Sequence, residues 1–243
     1  MNRLIVLCWI FVPTICMCSL LQAGTRILVF PFEADNSVPR WEWLGPGLAA
    51  EIELRLLHVA SVEVVRQPEY VALKQTLRVA QATGVDAFVR GSYRIVGDAV
   101  KVTAEVINTE TPDLPRSFRG SAPTTNLLRA LNDLCKSIPV VTGTRLMREE
   151  YGLLDNPTTS NPRAFESYVT GITPIAMNMM NPVGAQDSLV PAIVSLLKAS
   201  DRDPGFYGAH YQLGWIRELS ANHTRAIEVY AEALKRDPKI WRI

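Results

Sequence analysis

Apolar residues in the first half of the chain alternate with polar ones in some segments and recur at helical spacing in others. The run TRILVFPFE at 25–33 contains β-branched and aromatic residues and predicts a buried strand. The shorter run VEVVR at 62–66 predicts a second strand. Segment 86–112 alternates on either side of a Gly-Asp pair at 97–98, which fits a tight hairpin turn. RSFRGSAP at 116–123 predicts a further strand of this meander.

Three helices are predicted between and after these strands. In 41–60 the apolar residues recur at steps of three or four, which places them on one face of a helix. A proline in the first turn and a glycine at the end delimit a helix over 68–84. A third helix is predicted over 124–152, and Pro139 should kink or interrupt it. Together these elements predict an α/β domain over 24–150, with a mixed sheet and flanking helices.

The second half of the chain contains a repeat. The segments PAIVSLLKASDRDP at 191–204 and RAIEVYAEALKRDP at 225–238 start 34 residues apart. Each closes on Asp-Pro, which stops a helix because proline cannot continue it and restricts the residue before it. A 34-residue period is the signature of the tetratricopeptide repeat, a helix–turn–helix unit. The sequence therefore predicts an all-α helical hairpin array of about two such repeats over 162–243.

Particular residues define the two copies of the repeat. The repeat-structural positions are Ala192, Leu196, Ala199 and Pro204 in the first copy, and Leu213, Gly214, Ala226, Tyr230, Ala233 and Pro238 in the second. The small alanines allow the two helices to approach closely, and Tyr230 should fill the wedge between them. Nine extra residues in the first copy predict a loop insertion, with three methionines at 177–180. Segment 151–161 is predicted to be a linker, and KIWRI at 239–243 starts a third helix that leaves the last repeat uncapped.

The first 23 residues form a segment of their own. Arg3 precedes an apolar run that closes on Leu-Gln-Ala-Gly, as in a secretory signal peptide cleaved after Ala23. An uncleaved membrane anchor is the alternative, because the run approaches the length that spans a bilayer. Either way, the pattern predicts an exported protein of the periplasm or cell envelope. It would meet a membrane only through residues 1–23, if these are not removed.

Composition and charge narrow the class of protein. The chain is 48% hydrophobic with a formal net charge of +1, which is ordinary for a globular protein. No basic stripe is present, so nucleic acid is not an expected partner. Three of the four cysteines lie within the first 23 residues. The fourth, Cys135, sits in an apolar pattern that predicts core packing.

No group of residues in the sequence meets the requirements of catalysis. The three histidines have no metal-ligand spacing. The acidic pairs, which are predicted to be solvated helix faces, are Glu51 with Glu53 and Glu149 with Glu150. Gly45 and Gly47 open a helix, where a phosphate can bind, but they match neither nucleotide-binding fingerprint. We expect no catalytic, cofactor-binding or metal-binding residue, so the chain is predicted not to be an enzyme.

The α/β segment resembles a known family over about residues 25–145. The order of ILVFPFE, WLGPGLAAEIELRL, VEVV and TGVDAFVRGSYRIVGDAVKVTAEVINTETP resembles the TolB-like amino-terminal domain. That domain occurs in bacterial envelope and signalling proteins, often before tetratricopeptide repeats. It is similar in outline to the periplasmic domains of the curli-secretion protein CsgG and the flagellar protein FlgO. The family is not known as catalytic, and the resemblance implies a scaffold or assembly role.

The leading prediction is an exported, non-enzymatic scaffold or adaptor that binds a protein or peptide partner through the repeats. The candidate partner contacts, chosen by position alone, are Tyr168, His210, Tyr211, Arg217 and Glu218. Two alternatives remain open. One is a structural or assembly subunit that acts, and self-associates, through the α/β domain. The other is a small-molecule sensor with a site near Gly45 and Gly47.

Overall fold

The computed structural model describes residues 24–36, 38–65, 75–178 and 185–238. The predicted signal peptide at 1–23 and the third-helix start at 239–243 lie outside these residues. So do the first part of the helix predicted over 68–84 and the methionines Met179 and Met180.

Six strands of the described part of the chain form one mixed sheet. They are β1 Thr25–Val29, β2 Glu33–Ala34, β3 Val62–Val65, β4 Ala87–Val96, β5 Ala99–Asn108 and β6 Arg116–Pro123. The order across the sheet is β3-β1-β4-β5-β6, with β2 paired to β4. Strands β3, β1 and β4 run parallel, and β4, β5 and β6 form an antiparallel meander. The prediction of a mixed α/β sheet is confirmed, and Gly97 (φ 56°) opens the turn between β4 and β5.

Eight α-helices lie in the described ranges. They are α1 Leu44–Leu56, α2 Thr76–Thr83, α3 Asn132–Val141, α4 Arg148–Leu154, α5 Pro162–Asn178, α6 Ala185–Arg202, α7 Tyr207–Leu219 and α8 His223–Arg236. Short 3-10 helices cover Pro39–Trp41 and Thr124–Leu131. The prediction of one helix over 124–152 is wrong, because Asn126 has a non-helical backbone (φ −145°, ψ 49°) and the chain leaves the helix again between α3 and α4. Pro139 lies in the last turn of α3.

The sheet buries different residues on its two faces. On one face, Val100 and Val102 of β5 share a core with Leu48 of α1. Strand alternation places these even-numbered residues on a single side. On the other face, α2 covers Phe30 and Phe88, which belong to a second, smaller core. Beyond α2 on this same face, β5 and β6 expose polar residues such as Lys101, Thr103 and Arg119.

Helices α5 to α8 form two consecutive antiparallel pairs. Arg202 at the end of α6 donates a hydrogen bond (2.9 Å) to a backbone carbonyl at the start of α5, so these two helices run in opposite directions. A three-residue turn joins α7 to α8. In each pair a glycine permits the close approach of the helices. A Cβ on Gly171 would lie 2.8 Å from Leu196, and one on Gly214 would lie 2.5 Å from the ring of Tyr230.

The predicted Asp-Pro helix stops are confirmed. Helix α6 ends immediately before Asp203 and Pro204, and α8 ends immediately before Asp237 and Pro238. The backbone of Asp237 is extended (φ −138°, ψ 93°), which is the conformation that a following proline favours.

Most of the nine extra residues in the first pair are helical. Helix α5 continues for seven residues beyond Gly171, whereas α7 continues for five beyond Gly214. Helix α6 has seven residues before Ala192, whereas α8 has three before Ala226. The extra length is therefore shared between two longer helices and the segment that joins them, and Pro191 lies inside α6.

The helical pairs share their core with the α/β domain. Phe165 of α5 meets Trp43, just before α1, with ring centroids 6.0 Å apart. A Cβ on Gly47 of α1 would lie 3.1 Å from Phe165, so this glycine allows α5 to reach α1. Tyr207 at the start of α7 donates its hydroxyl to the carbonyl oxygen of Leu54 in α1 (3.1 Å). The hydrophobic core therefore continues from the sheet through α1 into α5, α6 and α7.

Candidate functional site

The five residues predicted to contact a partner do not form one surface. Tyr168 lies inside the core at 2% exposure, with its ring centroid 5.0 Å from that of Phe206. Helix α5 packs against α1 and α7, which covers the helix face that the sequence suggested would be open. Tyr168 is therefore a core residue and cannot contact a partner in the folded chain.

His210 lies between the two helical pairs. Its Nε2 is 3.1 Å from Oγ of Ser200 in α6. Burial, followed by the nearby charge of Arg236, lowers the pKa of His210 from its ordinary value of 6.5. The side chain is half-buried. Its contact with Ser200 links α7 to α6.

Tyr211 and Glu218 face α8. The ring of Tyr211 lies 6.1 Å from that of Tyr230, and Glu218 accepts a hydrogen bond from the Tyr230 hydroxyl (3.0 Å). Arg217 is half-buried on α7. Tyr211 and Glu218 therefore take part in the packing of the second pair, and Glu218 is exposed.

The residues predicted to build the repeat cores fall into three groups by burial. The buried ones are Ala192, Leu196, Ala199, Leu213, Gly214, Ala226 and Ala233, the half-buried one is Tyr230, and the exposed ones are Pro204 and Pro238. Both prolines stand just past a helix end, outside the packed interior. The buried alanines and glycine are small, which suits positions where neighbouring helices meet.

A fully buried ion pair lies in α1. Nε of Arg55 donates to Oε1 of Glu51 at 2.7 Å, and both side chains are 0% exposed. The guanidinium also donates to Oδ1 of Asn132 (2.8 Å) and to the carbonyl oxygens of Leu128 (2.8 Å) and Leu154 (3.2 Å). Burial alone would lower the pKa of Arg55, but the carboxylate of Glu51 raises it above its ordinary value. The pair therefore holds α1 against the elements that follow β6.

Glu51 also connects α1 to the segment that leads into the helical pairs. It accepts hydrogen bonds from the backbone N–H (3.0 Å) and the hydroxyl of Thr158. The prediction that Glu51 and Glu53 form a solvated face is therefore wrong for Glu51. Its burial follows from the position of α1, which contacts the sheet, the 3-10 helix Thr124–Leu131, α3, α4 and α5.

The second acidic pair is also divided between interior and surface. Glu150 is buried and accepts hydrogen bonds from the backbone N–H groups of Met147 (2.7 Å) and Ala60 (3.0 Å). It caps the start of α4 and joins that helix to the loop after α1. The prediction of a solvated face holds for Glu149, which is exposed, and is wrong for Glu150.

His58 links the end of α1 to the end of α8. Its Nε2 lies 2.7 Å from Oδ2 of Asp237, and its Nδ1 lies 3.2 Å from the carbonyl oxygen of Arg55. Its ring meets that of Tyr207 edge-on, with centroids 5.5 Å apart. These contacts fasten the second helical pair to α1, and they occupy both ring nitrogens of the histidine.

An open groove of about 790 Å³ lies between the start of β6 and helices α3 and α4. Phe118 of β6 lines one side of the groove, and Leu114, Val140 and Tyr151 are exposed along it. Lys136 also lines it and is paired with two aspartates. The lining therefore combines exposed apolar side chains with charged ones.

The glycines at the start of α1 are explained by packing. Gly45 lies against the backbone carbonyl of Phe32, where a Cβ would collide, and it accepts a hydrogen bond from the Phe32 N–H (3.1 Å). Gly47 lies beneath α5. The small-molecule site that was predicted near these glycines is therefore occupied by the chain after β1 and by α5.

Cys135 belongs to the hydrophobic core. Cys135 is fully buried, and burial raises the pKa of its thiol to about 11, which confirms the prediction of a core residue. Within the four described ranges, no group of His, Cys, Asp and Glu side chains could hold a metal ion. No helix in these ranges has the length and apolar character to cross a membrane.

Comparisons with known proteins give distant structural likenesses. No protein family and no curated protein sequence matches the chain. TolB from Acinetobacter baumannii matches at 20% identity and a TM-score of 0.37, over 49% of this chain and 29% of that chain. The C-terminal domain of LpoB from Salmonella enterica matches at 11% identity and 0.34, over 43% of this chain and 87% of that one. A PelC dodecamer from Paraburkholderia phytofirmans matches at 19% identity and 0.32, over 51% and 91%. TM-scores this low assign no function.

Proposed function

We propose that the chain is an exported, non-enzymatic adaptor of the cell envelope, in which α5 to α8 act as two tetratricopeptide repeats that bind a protein partner. The 34-residue period and the two antiparallel helix pairs support this proposal. In each pair a glycine of the first helix, Gly171 or Gly214, lies against a large side chain of the second. Those side chains, Leu196 and Tyr230, are themselves 34 residues apart.

The observation that carries the proposal is a row of exposed apolar side chains on α6. Val190, Val194 and Leu197 are 66, 44 and 48% exposed. Their spacing of four and three residues places them along one helix face. Exposed apolar residues grouped in this way mark interaction sites. The first helices of the two pairs offer less surface, because α5 and the start of α7 pack on α1. We therefore place the partner on the outer face of α6.

The absence of catalysis is part of the proposal. It is supported by the engagement of the ionisable groups, since Glu51 binds Arg55 and His58 binds Asp237 inside the fold. The Cys135 thiol has a raised pKa and is fully buried.

Export is a second part of the proposed function, and it rests on the signal-peptide pattern of residues 1–23. Mass spectrometry of the mature protein tests it, and an N-terminus at Gly24 is the expected result.

Affinity purification from envelope fractions, with the full chain as bait, tests partner binding. Leu197→Glu places a charge in the exposed row without entering the core, so this variant should lose proteins that the wild-type chain retains. Val96→Glu is the matched control, because Val96 is a similarly exposed apolar residue, at the end of β4. Retention of the same proteins by wild type and Leu197→Glu, with unchanged thermal unfolding, would contradict binding at α6.

A further inference from the structure

Strand β6 is an edge of the sheet and pairs only with β5 among the described strands. In an antiparallel sheet, the backbone N–H and C=O groups of one residue point toward the neighbouring strand on one side, and those of the next residue point toward the opposite side. The two-residue turn makes Val96 and Ala99 the closing bonded pair of the β4–β5 hairpin. Odd-numbered residues of β5 therefore bond β4, and even-numbered ones bond β6. Given the register of β6, the backbone groups of Ser117, Arg119 and Ser121 then point outward.

The groove between β6, α3 and α4 opens beside the first half of this edge. Leu114, Val140 and Tyr151 are exposed along it, and Phe118 lines it from β6. The second half of β6 is closed on this side, because Gly120 lies directly against the 3-10 helix Thr124–Leu131. A strand laid along β6 would therefore place every second side chain over the part of the groove that exposes Leu114, Val140 and Tyr151.

The free edge carries positive charge. Arg119 is exposed on the face away from the groove, Arg116 is exposed and lines the groove, and neither forms an ion pair with a described residue. Strand β6 contains no acidic residue. Lys136 in the groove is already held by Asp133 (3.2 Å) and Asp155 (2.9 Å). Two copies of β6 side by side would bring their arginines together, which is unfavourable. The charge therefore disfavours pairing with a second copy and favours an acidic segment.

We propose that the edge of β6 binds an extended acidic peptide, which adds to the sheet as a further strand. The peptide backbone bonds the outward groups of Ser117, Arg119 and Ser121. Its side chains alternate, with apolar residues over the groove and acidic residues on the side of Arg119. This inference concerns the sheet edge alone, so it is tested separately from the partner surface proposed on α6.

The probe is a fluorescently labelled peptide of about ten residues with alternating Glu and Val, long enough to match a strand. The full chain is titrated into it while anisotropy is measured, and saturable binding is expected. A peptide of alternating Lys and Val should bind roughly tenfold more weakly, about 1.4 kcal/mol. A peptide with the same numbers of Glu and Val, arranged as one block of Glu and one block of Val, should also bind roughly tenfold more weakly. Added salt should weaken binding, because exposed ion pairs are screened.

Two variants of the full chain test the geometry. Ser117→Pro removes an outward N–H without breaking a bond to β5, at a position where an edge strand tolerates proline. Arg119→Glu reverses the charge and leaves the backbone intact. Each should weaken binding of the alternating Glu and Val peptide roughly tenfold, about 1.4 kcal/mol. Arg78→Glu on α2 makes the same charge change at another exposed site and should bind like the wild type.

The proposal is overturned if the alternating Glu and Val peptide does not bind the wild-type chain. It is also overturned if Arg119→Glu binds the peptide as tightly as the wild type does. Thermal unfolding shows whether each variant is folded. If Ser117→Pro is unfolded, the comparison of Arg119→Glu with Arg78→Glu decides the question without it.

Discussion

At the scale of single residues, the two aspartates of the Asp-Pro stops do more than end their helices. Asp203 after α6 accepts hydrogen bonds from the hydroxyl of Thr159 and from the N–H of Gly205 (3.0 Å). Asp237 after α8 lies 2.7 Å from His58. Each carboxylate thus ties a helix end to an earlier part of the chain. The stops could be predicted because Asp-Pro acts locally, whereas Thr159 and His58 are brought close only by the fold.

The burial of the Glu51 and Arg55 ion pair could not be predicted from the local sequence either. At a spacing of four residues on a helix, the two side chains match a common solvent-exposed ion pair. Their burial is set by groups from elsewhere in the chain, among them Asn132 and Thr158. Nothing in the local sequence of α1 distinguishes a buried pair from an exposed one.

Replacing Arg55 by Met should destabilise the fold by about 3–5 kcal/mol, because the buried carboxylate of Glu51 loses its partner. Urea unfolding measures the change in the free energy of unfolding. The control is Arg225→Met, which removes an exposed ion pair with Glu228 and should change that free energy by less than about 1 kcal/mol.

The double variant Glu51→Leu with Arg55→Met removes both buried charges. It should recover part of the stability that Arg55→Met loses, because no unpaired charge remains in the core. Equal unfolding free energies for Arg55→Met and Arg225→Met would show that the buried pair does not hold α1 in place.

The lowered pKa of His210 predicts a pH dependence of stability. Burial, and then Arg236, lower this pKa from 6.5, so the unfolded chain binds the proton more readily than the folded chain. Stability should therefore fall as the pH drops below 6.5, and stop falling below the lowered pKa of the folded state. His210→Gln should reduce the difference between urea unfolding at pH 7 and at pH about 5.5.

The control for His210 is His223→Gln, because His223 is exposed at the start of α8. This substitution should leave the difference between the two pH values unchanged. A pH dependence that is the same in the wild type and in His210→Gln would mean that other groups cause it.

At the scale of elements, the hairpin of β4 and β5 is the part of the fold that the sequence predicts most completely. Its alternation and its turn are local properties, and the ladder joins each residue from Ala87 to Val96 with one of β5. The region after β6 was less predictable. There a 3-10 helix, Thr124–Leu131, stands in place of a regular helix and packs closely on β6, where Gly120 meets the backbone of Ala130. That contact has no counterpart in the local pattern.

Gly120→Ala should destabilise the protein by about 1–3 kcal/mol, because the added methyl group collides with backbone rather than with a side chain that can move. Urea unfolding measures the loss. Gly152→Ala in α4 is the matched control, since a Cβ there meets nothing within 4 Å. In a helix, this change should be neutral or stabilising by up to about 1 kcal/mol. Equal stability of the two variants would contradict the close contact at Gly120.

At the scale of the whole molecule, the helical pairs and the α/β domain are joined through α1. Thr158, in the segment predicted as a linker, binds Glu51, and α4 crosses the predicted boundary at 150. The sequence pattern shows that each helix has a buried face, but not which element covers it. For this reason the mixed sheet with flanking helices could be predicted, and the core that it shares with the helical pairs and the loss of Tyr168 from the surface could not.

Phe165→Ala should destabilise the chain by about 3–5 kcal/mol, because it opens a cavity where α5 meets α1. Thermal unfolding followed by far-UV circular dichroism and by tryptophan fluorescence should give one coincident transition. The control Ile227→Ala changes an exposed side chain and should alter stability by less than about 0.5 kcal/mol. Two separate transitions in the wild type would show that the two halves unfold independently.

The contact between His58 and Asp237 has a mechanical consequence. A tensile force applied to the chain beyond Pro238 reaches this contact before it can peel α8 away from α7, because Asp237 directly follows α8. The force then passes into α1, which the sheet and the bonds of Arg55 hold on several sides. Tension at this end of the described chain is therefore resisted by the interior of the α/β domain, and not by the last helix pair alone.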